Sequence, residues 1–158
     1  NLSYQANKKN IDSKKLIFLK KINFEDHLSR HSLADLFLDS FNYNAHTSAV
    51  DALWAGLPIL TKIGNSFSSR ICGSLLKYFK LDELIAKNKD QYFNKALELA
   101  NDPKKLKLIK DKILLAKKSD HYFDNKKYTS NLEKAYKKIH QMRINENKFA
   151  DVYIKDTQ

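Results

Sequence analysis

The stretch Asn44-Ala45-His46-Thr47-Ser48-Ala49-Val50-Asp51-Ala52-Leu53-Trp54-Ala55-Gly56-Leu57-Pro58-Ile59-Leu60 decides how the chain is read. A helical pattern starts at Thr47 and runs to about Ala55. Gly56 closes it, because glycine takes the left-handed cap conformation without steric cost. Pro58 to Leu60 begins a third strand. Upstream, Leu33 to Leu38 reads as another strand, stopped by Asp39-Ser40, with Phe41 to Ala45 as a polar loop. Strand, loop, helix and strand in that order form a βαβ unit, which implies parallel pairing with a right-handed crossover. The helix therefore opens with His46-Thr47-Ser48 at the carboxyl edge of a parallel sheet, where such sheets bind ligands. Free N–H groups, hydroxyls and an imidazole at the positive end of a helix dipole suit a phosphate. Asp51, one turn further in on the side of Thr47 and Ser48, can accept hydrogen bonds from a ribose. A Thr or Ser ahead of a helix is by itself an ordinary cap, so the whole string carries the reading.

Outward from this segment the alternation continues. Lys15 to Leu19 is a short apolar run bounded by lysines and reads as the first strand, followed by a helix-compatible stretch from Glu25 to Ser32. Asn1-Leu2-Ser3-Tyr4 looks like the middle of a helix. After a turn at Gly64-Asn65-Ser66, Phe67, Ile71, Leu75 and Phe79 fall four residues apart on one helical face. Leu84-Ile85-Ala86 reads as a short strand. Two helices follow, separated at Asn101-Asp102-Pro103, with Asp102 as N-cap and Pro103 in the first helical position. A last helix from about Asn125 to Gln141 carries Tyr128, Leu132, Ala135, Tyr136 and Ile139 on one side, and a polar tail follows in which Val152-Tyr153-Ile154 could dock. Three or four strands are visible and no Gly-x-Gly-x-x-Gly phosphate loop is present. A complete doubly wound domain has about five or six strands, so the N-terminal part of the sheet is expected to lie outside the chain.

The 158 residues suffice for one domain with a real core, and 42% hydrophobic with 30% charged residues is ordinary for a globular protein. No apolar run approaches the roughly 18 to 20 residues that a membrane span needs. The lone Cys72, beside Ile71 and Gly73, reads as a small buried filler; it excludes an internal disulfide and points to a cytoplasmic address. The net charge of +11 raises a nucleic-acid or membrane-surface partner. Its lysines, however, are spread along the chain on the solvent faces of amphipathic helices, and arginine is confined to Arg30, Arg70 and Arg143. Arginine is the side chain that reads phosphates and base edges bidentately, so no specific nucleic-acid partner is expected.

The string resembles the nucleotide-binding segment of the O-linked N-acetylglucosamine transferase family, with its SPINDLY-like members. Leu33-Ala34-Asp35 through Leu38-Asp39, His46-Thr47-Ser48, and Asp51-Ala52-Leu53-Trp54-Ala55-Gly56-Leu57-Pro58 match the family's run in order and spacing. Ser69-Arg70, Ser74-Leu75-Leu76, Glu83-Leu84-Ile85-Ala86 and the Tyr128-containing helix extend the likeness along nearly the whole chain. The resemblance implies an α/β fold with a Rossmann-like parallel sheet. This would be the C-terminal part of the donor-binding lobe of a GT-B glycosyltransferase, incomplete at its N-terminus. On that basis residues 1–120 form the partial nucleotide-sugar-binding lobe, 121–142 a C-terminal helix packing on it, and 143–158 a polar tail. It also implies that His46, Thr47 and Ser48 cradle the sugar-diphosphate, that Asp51 holds the ribose, and that Lys21, Ile22, His27 and Arg30 surround the nucleobase. His46 is the one candidate for a catalytic role. No cofactor or metal is implied beyond the nucleotide-sugar donor.

Two departures stand out. Phe24 occupies the place, three positions before His27, where the family has a base-side lysine. The family's diphosphate-neutralising lysine, its acceptor-side lobe and its tetratricopeptide repeats fall outside this chain. Retaining enzymes of the same architecture often carry an acid about eight residues before the ribose-binding carboxylate. Tyr43 stands there, which favours the family's inverting mechanism. The expected function is donor binding for transfer of N-acetylglucosamine from UDP-GlcNAc to Ser or Thr of an acceptor protein. Fucosyl transfer from GDP-fucose, or a non-catalytic nucleotide-binding or interaction module, are the alternatives.

Overall fold

The computed structural model describes residues 1–119, 124–146 and 149–154. In chain order the elements are α1 (Leu2–Lys8), α2 (Phe24–Ser29), β1 (Phe37–Leu38), α3 (Thr47–Trp54), β2 (Ile59–Lys62), α4 (Ile71–Tyr78), β3 (Ile85–Ala86), α5 (Lys89–Asn101), α6 (Pro103–Ser119) and α7 (Asn125–Glu146). The strands form one parallel sheet in the order β1-β2-β3. Phe37 is opposite Ile59 and Leu38 opposite Leu60, while Thr61 is opposite Ile85 and Lys62 opposite Ala86. β2 is thus the central strand, and Ile59, Leu60 and Thr61 are fully buried.

Burial follows the helical period. Ala49, Ala52 and Leu53 of α3, Cys72, Leu75 and Leu76 of α4, Leu99 of α5, and Leu106, Ile109 and Ile113 of α6 form one cluster with Ile59, Leu81 and Leu84. Each fully buried aliphatic side chain contributes about 1.5–3 kcal/mol relative to exposure. Helix ends are set by local chemistry. Gly56, at φ 82°, ends α3 in a Schellman motif: its N–H donates to Leu53 O at 3.0 Å and that of Leu57 to Ala52 O at 2.8 Å. Lys80 does the same after α4 at φ 56°, with Leu81 N–H reaching Leu76 O at 2.9 Å. Asp102 Oδ1 accepts from Lys105 N at 2.9 Å, the cap expected ahead of Pro103.

Several sequence expectations are corrected. Lys15 to Leu19 forms no strand: Ser13–Lys15 is a 3-10 turn, and Ile17, Phe18 and Leu19 are 80%, 67% and 65% exposed. An apolar run is a strand only where a neighbour takes its backbone groups, and no described strand pairs with this one. The same rule shortens the Leu33–Leu38 strand. Arg30–Leu33 is a 3-10 turn, Leu33 is exposed, and pairing begins at Phe37, where β2 lies alongside. Phe67 is 72% exposed and precedes α4, so only Leu75 and Phe79 of the proposed four-residue stripe are buried and Ile71 is half-buried. α7 runs to Glu146, and Tyr128, Tyr136 and Ile139 on its apolar side are exposed. The expected boundary between residues 120 and 121 lies outside the described residues, as does the tail at 155–158. No helix among the described residues is long and apolar enough to cross a membrane.

Candidate nucleotide-sugar site

Two loops meet at the carboxyl edge of the sheet, one after β1 and one after β2. The first, residues 40–45, is closed on itself by the buried Asp39. Its Oδ1 accepts from Ser40 N at 2.8 Å and Ala45 N at 2.7 Å, and its Oδ2 accepts from Thr61 Oγ1 at 2.6 Å. Ser40 Oγ donates to Tyr43 O, and Asn44 Nδ2 to Ser40 O at 2.7 Å. The second loop is knotted around Ser69, whose hydroxyl donates to Ser66 O at 3.0 Å and accepts from Ser66 N at 3.1 Å. Gly64 makes this possible, since a Cβ there would sit 2.4 Å from Ser69 Oγ. The loops are laced together by Asn44 N–H on Ser68 O at 3.0 Å and by Ser68 Oγ on Asn42 O at 3.3 Å.

His46 leaves the first loop with φ −107° and ψ −96° and is the N-cap of α3, without capping through its side chain. Its ring stacks on Tyr43, centroids 4.7 Å apart and 17° from parallel, and its Nε2 lies 3.4 Å from Ser68 O. Donation from Nε2 leaves Nδ1 as an acceptor. Thr47 and Ser48 are exposed, and their hydroxyls make no hydrogen bond among the described residues. The first N–H groups of a helix have no intrahelical partner, so the mouth of α3 offers donors of both kinds at the positive end of its dipole. Asp51 is half-buried one turn further in, on the face of Thr47.

A separate cleft of about 550 Å³ is lined by Leu19, Lys20, Lys21, Ile22, Phe24, His27 and Arg30. The structure thus brings together all four nucleobase candidates and adds Phe24, the residue that departs from the family pattern. Arg30 Nη1 donates to Lys20 O at 3.1 Å and holds the extended segment against α2. His27 packs edge-on against His31, whose Nδ1 lies 2.8 Å from His27 O. No hydrogen bond or ring contact among the described residues joins this cleft to His46, Thr47, Ser48 or Asp51. No three His, Cys, Asp or Glu side chains among the described residues converge to hold a metal.

Sequence reading missed the groups that build the first loop. Asp39 and Ser40 were expected only to stop a strand, and Tyr43 only to lack a carboxylate. An Asp at the end of a strand, followed by Ser and a Gly-free polar loop, is a signal for side chain–backbone closure of that loop. Lys62 and Lys89 were missed as well. Lys62 ends β2 and Lys89 opens α5, and their ammonium groups lie 5.4 and 5.9 Å from the centroid of Phe41.

Behind the rim sits Cys72, fully buried as expected of a filler. Burial pushes its thiol from 9.0 up to about 12, and the Asp39 carboxylate adds to the rise. Burial also pushes Tyr92, whose hydroxyl donates to Asp39 O at 2.9 Å, up to about 12, again with help from Asp39. In the unfolded chain the thiol ionises near 9.0, whereas in the fold it stays protonated toward about 12. The unfolded state therefore binds fewer protons over that window, and stability falls as pH rises through it. Denaturant titrations should show this alkaline loss, and a Cys72→Ala variant should show a shallower one. Native Cys72 should react with a maleimide only on unfolding, since the thiolate is the nucleophile.

The fold defines a class: a parallel α/β unit with an anion-suited helix mouth at the strand ends. The model of glycosyl transferase family 41 matches residues 1–132, and the chain belongs to that family. A UDP-N-acetylglucosamine–peptide N-acetylglucosaminyltransferase of Caenorhabditis elegans is 32% identical over 123 residues, 78% of this chain and 11% of that protein. A probable enzyme of the same description, SPINDLY of Solanum lycopersicum, is 31% identical over 112 residues, 71% of this chain and 12% of its own. Among solved structures, a K341M mutant of Thermobaculum terrenum O-GlcNAc transferase superposes with a TM-score of 0.79 at 27% identity. It covers 87% of this chain and 26% of its own. The chain thus spans about an eighth of those curated relatives' length. The expected α/β, GT-B-related fold and the family are both shown by these likenesses.

Proposed function

We propose that the chain is the donor-binding portion of an inverting protein O-glycosyltransferase that takes N-acetylglucosamine from UDP-GlcNAc. The observation that carries this is the mouth of α3, where the exposed Thr47 and Ser48 hydroxyls, which make no hydrogen bond among the described residues, stand beside His46 one turn before Asp51. The diphosphate binds to those backbone and hydroxyl donors, and Asp51 accepts from the ribose hydroxyls. The base enters the cleft of Lys21, Ile22, His27 and Arg30, with main-chain groups of Lys21 and Ile22 meeting its edge. In transfer, a Ser or Thr hydroxyl of the acceptor protein attacks the anomeric carbon from the face opposite the diphosphate. The hydroxyl loses its proton to solvent, the bond to the diphosphate oxygen breaks with inversion to release the nucleoside diphosphate, and the helix end stabilises the charge gathering on that leaving group. The donor itself supplies the diphosphate, and no metal is required in this scheme. The names of the relatives support the donor and the peptide acceptor.

Isothermal titration of the chain with UDP and with GDP tests the reading. UDP is expected to bind the tighter, and binding of neither nucleotide overturns the donor-site assignment. A preference for GDP would instead favour fucosyl transfer and would fit a cleft carrying Phe24 in place of a lysine. Arg30→Ala should weaken UDP by roughly three- to tenfold, the worth of one hydrogen bond, because Lys20 to Ile22 lose their anchor. Unchanged affinity in that variant would remove the cleft from the site.

A further inference from the structure

Asp39 touches none of the proposed donor-binding groups, yet its carboxylate is built into the segment that presents them. It is 4% exposed at the end of β1, and its own N–H donates to Leu60 O at 3.0 Å, which sets it beside Thr61. Thr61 is fully buried in the central strand and gives its hydroxyl to Oδ2 at 2.6 Å. Oδ1 accepts from both ends of the loop, Ser40 N at 2.8 Å and Ala45 N at 2.7 Å. The main-chain carbonyl of Asp39 is held in turn by Tyr92 of α5 at 2.9 Å. Ala45 immediately precedes His46, so the Ala45 N–H bond fixes where the chain enters α3. Asn44, 1% exposed, ties the same loop to Ser68 through its N–H.

We propose that Asp39 and Thr61 are positioning residues for the donor site, a buried latch that closes the 40–45 loop and holds the mouth of α3 in its binding geometry. The inference rests on reading that mouth as the diphosphate site. Charge-assisted hydrogen bonds are short and about twice as strong as neutral ones, and inside a protein they are strengthened further. A latch of this kind keeps His46, Thr47 and Ser48 arranged before the ligand arrives, and prearranged donors bind charge without a reorganisation cost. Thr61 Oγ1 donates to Oδ2 at 2.6 Å and the buried Cys72 thiol lies against the same pair, so the Thr61 hydroxyl helps set how the carboxylate is turned. A valine at 61 matches the shape of threonine and deletes the hydroxyl, which meets both the Asp39 carboxylate and the Cys72 thiol. A serine keeps the donor and loses a methyl group.

The experiment compares UDP affinity by calorimetry with amide exchange at Ala45 in the full chain and in Thr61→Val, Thr61→Ser and Asp39→Ala. Thr61→Val and Asp39→Ala are expected to weaken UDP by roughly tenfold to a hundredfold, as for loss of one hydrogen bond to a charged group. Ala45 exchange should quicken while the amides of Leu53 and Leu76 stay protected. Thr61→Ser should keep the wild-type affinity and Ala45 protection. A general loss of stability would leave the affinity of the folded fraction unchanged, so affinity is corrected for the fraction folded. If Asp39→Ala does not fold, the Thr61 pair decides. Wild-type affinity in Thr61→Val, equal losses in Thr61→Val and Thr61→Ser, or unaltered Ala45 exchange would overturn the latch. A wild-type chain that binds neither UDP nor GDP overturns the donor-site reading instead. Ala45 exchange across the same variants then decides the latch alone.

Discussion

A Thr47→Ala/Ser48→Ala double variant is expected to lose UDP affinity by roughly a hundredfold or more while its melting temperature stays close to that of the wild type. Each hydroxyl removed is a donor to a charged acceptor, worth about 1.5–3 kcal/mol. The two effects share one ligand and one helix turn, so their sum is not assumed to be additive. Stability is spared because both side chains are exposed and neither caps α3. The two hydroxyls of the proposed diphosphate site therefore contribute little to the folding free energy. His46→Ala should behave differently, since its ring is stacked on Tyr43 and reaches Ser68 O. It should lower stability and affinity together. Calorimetry with UDP alongside a thermal melt separates the cases. A double variant that binds UDP as tightly as the wild type would show that the mouth of α3 is not where the diphosphate goes.

Legibility in the sequence divides along physical lines. α3, its Gly56 terminator and the Asp102-Pro103 break were legible because local chemistry decides them: a cap, a left-handed glycine, a proline without an N–H. The strands before β2 were not, because a strand is a relation between segments. Lys15 to Leu19 has the composition of a strand and lacks a described partner, and Leu33 to Leu36 has it too, but β2 reaches only Phe37 and Leu38. Phe67 fits a helical spacing that the Gly64–Ser69 turn interrupts, and that turn is held by hydroxyl bonds that no hydropathy pattern records. The site divides in the same way. His46, Thr47, Ser48 and Asp51 follow one another on a helix, so sequence order places them together at its mouth. That Lys21, Ile22, His27 and Arg30 share a cleft depends on the fold of the 19–30 segment and came from the resemblance rather than from spacing. The latch was illegible for a third reason: Asp39 and Thr61 are 22 residues apart and meet only because β1 and β2 pair in this register.

The contrast between the core and the long terminal helix yields the other large effect. Leu76→Ala is expected to lower the unfolding free energy by about 2–5 kcal/mol, because it deletes a fully buried side chain and leaves a cavity. Domains of this size are stable by only about 5–15 kcal/mol, so a substantial part of the reserve goes with one residue. The sheet cannot compensate, since β1 and β3 are two-residue strands and most of the packing around β2 comes from the helices. Tyr136→Ser on α7 removes a larger apolar group, but one that is 63% exposed. It should change stability by no more than about 0.5 kcal/mol, as surface substitutions do. Urea denaturation of the two variants against the wild type measures both. If Tyr136→Ser were to cost as much as Leu76→Ala, the apolar side of α7 would be packed in solution, and the core would extend beyond the cluster around Ile59, Leu76 and Leu84.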